Sequence, residues 1–472
     1  MLMLAWRNLI SLAVPLALAG CQTVLSAREA QRAVAPRSSD GPVAVAADRV
    51  SLRGADLETL VLFAITNRPS MTSARLAVDD ARLALREIAA DAPLLSSTPW
   101  FSPDVSASVG HSESSASAKF DDLRSHTSGG ASGSLSLDVL IWDFGRNAAR
   151  ARAQAEAVVA AELACAQEGF AVFDEVASAY FTTLEKDALL EVALTNEYEY
   201  VEHLNRAEEE LKAGVGKQLD VLRARLDVAT AREGVVAASN QVVTAGAELM
   251  RALGVELTRG TRDDVLARDT GDLDRLVVAF PVSTTDAEAA FALARTNAPA
   301  MRVRRAQLRA ASAQVDAAMA DLLPSVSASV SLNWTDPLWL WRWGVSGVQS
   351  VFTGWKKTTA VDRAVVAMMS RDAALDEAEQ ELSASVALAV AERDNAHKAF
   401  ATACESVKSA KENLDLVRER YALGDASAVD FTDAVSGYVS ALGSRVTAYY
   451  RGQRAEAKLY EVMGRDPRYG VN

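Results

Sequence analysis

The spacing of apolar and polar residues along this chain changes period at a few well-defined places. From Asp56 to about Ala90, and again from Asp286 to about Leu322, Ala, Leu, Arg and Glu recur at helical spacing. The period then drops to two. Val105–Val109 (VSASV) and Ser134–Trp142 (SLSLDVLIW) alternate apolar with small polar residues, as do Val326–Trp334 (VSASVSLNW) and Trp339–Val345 (WLWRWGV). This pattern predicts hairpins over about 103–142 and 325–352, with strands of roughly ten residues, long enough to cross a bilayer at a tilt. A polar connection (Ser112–Gly130) joins the first pair, and a short turn around Asp336 and Pro337 joins the second.

Each hairpin is followed by an unusually long unbroken segment. Arg146–Ala213 contains one glycine, Gly169, and no proline, while Trp355–Leu423 contains neither. Segments so dense in Ala, Glu, Arg and Leu predict helices on the order of 100 Å long at 1.5 Å per residue. Helices of that length need lateral partners, so coiled-coil packing is expected. Shorter helices are predicted to follow, over 219–253 and 429–463.

The two halves echo each other. ITNRPSM (Ile65–Met71) aligns with RTNAPAM (Arg295–Met301), placing Asn67 on Asn297 and Pro69 on Pro299. Gly145 in WDFGR aligns with Gly354 in VFTGW, and Gly214 and Asp220 align with Gly424 and Asp430. The order of the matches is the same in both halves, so the chain reads as a duplication. Repeat 1 covers 56–255 and repeat 2 covers 286–464, with an inter-repeat segment at 256–285 and a tail at 465–472.

Four strands cannot close a barrel, and lipid does not tolerate an open sheet edge. A spanning sheet of this size therefore requires association. A trimer would supply twelve strands, and arithmetic alone also admits a dimer. Trp334, Trp339, Trp341 and Trp343 cluster beside the second hairpin turn, either as a small aromatic core or as a girdle at the membrane interface.

The N-terminus adds an address. Arg7 precedes an apolar run, Leu9–Leu18, too short for a permanent span, and the run ends in Leu-Ala-Gly-Cys at Cys21. This looks like a bacterial lipobox, with residues 1–20 as the signal peptide, Cys21 as the lipidated residue and 21–55 as a linker. Gln22 rather than Asp after the cysteine resembles signals that release lipoproteins to the outer membrane. The remaining cysteines, Cys165 and Cys404, stand in helical runs at positions that do not correspond between repeats, and read as apolar fillers.

Composition narrows the functional classes. The 472 residues carry a net charge of −13, which argues against a nucleic-acid surface. His111, His126, His203 and His397 are scattered without metal-ligand spacing, and no phosphate loop or nucleophile–base arrangement occurs. No catalytic site, metal or cofactor is expected, and the chain is not read as an enzyme.

Taken together, the duplicated unit, the NRP/NAP pair, the glycine at each strand exit and the two G-x5-D-x3-A stretches resemble the TolC-like outer-membrane efflux protein family over nearly the whole mature chain. The resemblance implies a mixed, mainly α fold. Three chains would form a twelve-stranded outer-membrane β-barrel, four strands from each, continuous with a long periplasmic α-helical barrel. It implies an exit duct that conducts passively, served by a periplasmic adaptor and, indirectly, an inner-membrane transporter. Gly214 and Gly424 then turn the chain at the periplasmic tips, and Leu211, Ala213, Leu423, Asp425 and Ser427 become candidate adaptor contacts. Asp430 and Asp433, with Asp220, match the family's pore constriction, and Tyr421 with Asp220 matches its closed-state lock. The family's companion basic residue would fall at Ala426 and is missing, while Lys217 stands one turn away in the other repeat. The alternative reading is a lipid-anchored periplasmic coiled-coil spacer without a pore, for which the alternating strands and tryptophans have no use.

Overall fold

The computed structural model describes residues 57–90, 104–115, 127–214, 216–255, 286–335, 338–349, 354–423 and 425–464. Cys21, Gly424 and the inter-repeat segment 256–285 lie outside the described residues. The elements of repeat 1 are α1 (Leu57–Asn67), α2 (Pro69–Ala90), β1 (Asp104–Ser115), β2 (Thr127–Trp142), α3 (Arg146–Lys212) and α4 (Gln218–Leu253). Repeat 2 carries α5 (Ala287–Asn297), α6 (Pro299–Ala320), β3 (Ser325–Thr335), β4 (Leu338–Val348), α7 (Lys356–Ala422) and α8 (Ala428–Val462).

The helices expected as single runs at 56–90 and 286–322 are each split in two. The breaks fall at Pro69 and Pro299, whose missing N–H and ring exclude them from a helix interior but suit a first turn. Ala298 is pushed to an extended ψ of 123° by the proline that follows it. The Asn-x-Pro pair is therefore a hinge between helices, repeated in both halves.

The four strands form one antiparallel sheet in the order β1-β2-β3-β4, and β2 pairing with β3 joins the two repeats. Register sorts the side chains cleanly by face. One face carries the rows Val105–Leu137–Val330–Trp343 and Ala107–Leu135–Leu332–Trp341. The other carries Ser106–Ser136–Ser331–Arg342 and Ser108–Ser134–Asn333–Leu340. Hydroxyls on that second face bond across strands, Ser106 to Ser136 at 2.6 Å and Ser108 to Ser134 at 2.8 Å. Trp334 and Trp339 face each other at 6.0 Å between ring centroids, and Trp341 and Trp343 are each 68% exposed. The tryptophans thus lie on the apolar face and do not close into a buried core.

The chain passes from strand to helix through left-handed backbone. Gly145 and Gly354 have φ of 88° and 62°, conformations that glycine adopts without steric cost. Asp143, buried at the first exit, accepts hydrogen bonds from the N–H groups of Gly145 (3.1 Å) and Asn147 (2.8 Å) and so starts α3. The guanidinium groups of Arg146 and Arg150 reach Asp321 beyond α6, tying the repeats together beside the sheet.

α3 and α7 have 67 residues each, about 100 Å of helix. α3 packs along its length on α2, α6, α4 and α8. Because its neighbours change along the way, its buried residues migrate around the helix. The largest apolar cluster lies midway, where Val172, Val176, Phe181 and Leu184 of α3 meet Leu60 and Ala64 of α1, Met250 and Leu253 of α4, and Leu442 and Val446 of α8. A second cluster, Ala290, Ala294, Val386, Leu459 and Met463, plays the corresponding part for repeat 2.

Phe181 is completely buried at the centre of the larger cluster. Phe181→Ala should destabilise the folded chain by about 3–5 kcal/mol through lost burial and an unfilled cavity, read as a lowered chemical-denaturation midpoint of the detergent-solubilised protein.

Candidate functional site at the hairpin tips

The ends of α3 and α7 farthest from the sheet turn the chain back in two helical hairpins. At the first tip, Ala213 N–H donates to the Glu209 carbonyl, Gly214 N–H to Leu211 and Gly216 N–H to Glu210, so the last carbonyls of α3 are satisfied. Gly214 sits at φ 79°, in the left-handed region. A Cβ on Gly216 would lie 2.7 Å from the Leu211 nitrogen, which closes that position to any side chain. α4 begins after Lys217, which makes no side-chain cap.

The second tip is more tightly fastened. Asp425 N–H donates to the Arg420 carbonyl, and the Arg420 guanidinium pairs with the Asp425 carboxylate at 3.0 Å. Ser427 and Asp430 form a reciprocal capping box. The Asp430 N–H donates to Ser427 Oγ at 3.2 Å, while the Ser427 N–H (2.9 Å) and hydroxyl (2.8 Å) donate to the Asp430 carboxylate. The Ser427 N–H, then its hydroxyl, hold the Asp430 carboxyl below its ordinary 3.8. This support for the turn is complete above that ordinary value and is lost as pH falls through the lowered one.

Asp430 and Asp433 are both exposed and stand one helical turn apart on α8. Asp220, at the start of α4, is partly buried. Tyr421 and Asp220 are not hydrogen-bonded in this chain. Tyr421 instead belongs to a three-ring cluster. His203 of α3 lies 4.8 Å from Phe431 of α8 with an interplanar angle of 18°, and Tyr421 of α7 is 5.5 Å from His203 and 5.6 Å from Phe431. Burial pushes the Tyr421 hydroxyl above its usual 10, and the Glu210 and Asp220 carboxylates add to the shift. Asp220 therefore acts on Tyr421 through its field. A few residues toward the body, Arg418 of α7 pairs with Glu199 of α3, a second link between the hairpins.

Leu211 and Leu423 are 38% and 83% exposed, and Ala213, Asp425 and Ser427 are exposed beside them. Sequence reading did not single out His203, Phe431, Arg418 or Glu199. Their common signal is tertiary: each comes from a different turn of a long helix, and only the docking of α3 against α7 and α8 assembles them. Among the described residues no group of His, Cys, Asp and Glu could hold a metal ion, and Cys165 and Cys404 are free. No described helix is long and apolar enough to cross a membrane.

The fold is shared with solved structures. A membrane protein from Pseudomonas aeruginosa superimposes with a TM-score of 0.73 at 20% identity, over 86% of this chain and 93% of that one. The outer membrane protein VceC of Vibrio cholerae gives 0.71 at 17% identity, over 86% and 96%. The open state of the Neisseria gonorrhoeae MtrE outer membrane channel gives 0.66 at 21%, over 86% and 88%. No curated protein sequence matches significantly. The profile of the outer membrane efflux protein family matches residues 63–255 and 291–465, both repeats and most of the chain. On that match, spread over both copies of the duplicated unit and joined to the common fold, the chain belongs to the outer membrane efflux protein family.

Proposed function

We propose that three copies of this chain form the outer-membrane exit duct of a tripartite efflux or secretion assembly, conducting its cargo passively and closing at the hairpin tips. The observation that carries this reading is the sheet. Its apolar, tryptophan-bearing face suits lipid and its hydroxyl-bearing face suits a water-filled lumen, and two 67-residue helices continue directly from it. Three four-stranded sheets placed edge to edge supply twelve strands and leave no edge open to lipid. The tryptophans beside the β3–β4 turn then lie at the headgroup level.

The long helices of three copies would gather into a tube reaching about 100 Å into the periplasm. At its end the three α8 helices would bring Asp430 and Asp433 into two rings of carboxylates, with Asp220 nearby. Such rings attract cations and narrow the exit electrostatically. The exposed tip residues Leu211, Leu423, Asp425 and Ser427, around the turns at Gly214 and Gly424, form the surface offered to a periplasmic adaptor, which would connect the duct to an inner-membrane transporter. Cys21 would carry the lipid that holds the N-terminus to the outer membrane, several acyl chains being needed for a firm anchor. A lipid-anchored spacer without a pore would have no use for a sheet with one apolar and one hydroxyl face.

Planar-bilayer recording tests the duct directly. The wild-type trimer should form low-conductance channels blocked by divalent cations, and the Asp430→Ala/Asp433→Ala double variant should conduct severalfold more with weaker block. Absence of channels would reject the duct, and unchanged conductance and block would reject the carboxylate rings. Cys21→Ala should abolish incorporation of radiolabelled palmitate while the protein still accumulates; undiminished labelling would reject the anchor.

A further inference from the structure

The duct reading leaves one buried polar side chain unused. His203 is only 4% exposed, and neither of its ring nitrogens has a hydrogen-bond partner. Buried polar groups almost always find partners, so an orphaned imidazole at the meeting of two hairpins calls for a reason. The ring lies flat on Phe431 of α8 and against Tyr421 of α7, so one side chain of the first hairpin touches both helices of the second. On its open side lies a cavity of about 230 Å³, bordered also by Glu202, Arg206 and Arg418.

Burial opposes a proton on the ring, and the neighbouring charges are divided. From α4, Asp220 and Asp227 attract one, and from α3 Arg206 repels it. Arg418, facing the site from α7, is already held by Glu199, and Asp433 of α8 acts on the neighbouring Tyr200. Burial is the largest influence and outweighs the two aspartates, keeping the imidazole below its ordinary 6.5.

We propose that His203 is an acid-sensitive latch: its neutral ring holds the two hairpins together at the tip, and its protonation releases them. The proposal rests on the tip being the closed end of the duct. The buried imidazole lies beside Phe431 and Tyr421 with no hydrogen-bond partner for either nitrogen, so a charge on it costs desolvation that the ring faces offset only in part, whereas a ring freed by separation of the hairpins is hydrated. The latch is therefore at full strength above the ordinary value of 6.5 and weakens as pH falls below it. Between about pH 7.5 and pH 5.5, selective protonation of the open form shifts the closed–open balance by up to about tenfold per protomer.

Two measurements on the full-length trimer test this. In the first, nitroxides are placed at Lys212→Cys and Ala422→Cys, exposed sites on the two tips. Cys165 and Cys404 are replaced by Ala, and distances are measured in spin-diluted trimers. With His203 intact, the separation should lengthen and broaden at pH 5.5; an unchanged distribution overturns the latch whether or not the protein conducts. In the second, bilayer conductance is compared at the two pH values for wild type and His203→Phe, which keeps a stacking ring without a titrating nitrogen. Acid should open the wild type, and His203→Phe should remain closed at both values. An equal acid response in the variant overturns the proposal. If the distance changes but no channel appears, the latch stands and the duct reading falls.

Discussion

Two unpaired sheet edges dictate the rest of this molecule. Among the described residues β1 and β4 are the edges of a sheet whose one face is apolar throughout its central rows, a surface suited to lipid. Lipid offers no hydrogen bonds to the backbone groups at those edges, so in the proposed duct the sheet continues into another copy. A three-fold or similar closure at the sheet carries the helices with it, because Gly145 and Gly354 lead directly from strand to helix. The exposed apolar side chains of the shorter helices, such as Leu219, Leu222 and Leu226 on α4, follow the same logic. They are surplus in a single chain and become useful beside a neighbour.

Duplication supplies the architecture, and divergence between the copies supplies the differences that matter at the tips. Both long helices have the same length, and both return helices start at equivalent places. Yet α8 opens with a complete Ser427–Asp430 capping box, while α4 opens at Lys217 with no side-chain cap. Asp433 stands where repeat 1 has Arg223. The second hairpin is thus the better fastened and the more acidic.

Periodicity made the fold class readable because strands and helices write different repeats into the sequence. The four alternating stretches became the four strands, and the proline-free segments, with Gly169 as their one glycine, became the two long helices. The Pro69 and Pro299 breaks were visible as residues, but matching them between repeats drew attention to their likeness rather than to the interruption they impose. The contacts at the tips were far less legible. Tyr421 could be aligned with a family position, but its actual neighbours depend on how far α3 slides along α7 and α8. Nothing within a few residues of His203 announces that Phe431, more than two hundred positions away, will cover it. Asp430 illustrates a further difficulty: one carboxylate serves a local cap, and sequence alone does not separate that task from a role in a pore.

The distribution of apolar packing explains why motion should be confined to the tips. The main cluster ties α1, α3, α4 and α8 together at mid-length with large buried side chains such as Phe181, Met250 and Leu253. Near the tips the clusters shrink to Leu414, Phe431, Ala434 and Val435 in one hairpin and Ala207, Val221 and Ala224 in the other. Each hairpin has its own small core, and what spans the gap is the His203 cluster, Tyr200 packed on the core of the second hairpin, and the Arg418–Glu199 pair. Local opening takes the route that exposes least apolar surface. Separating the hairpins uncovers Phe431 and frees Tyr200 but leaves the rest of the two small clusters packed, whereas any comparable movement at mid-length would expose the largest cluster. A long stiff body with weakly joined ends is therefore what this packing produces, and the joint between the hairpins is where a small change in charge has the greatest leverage.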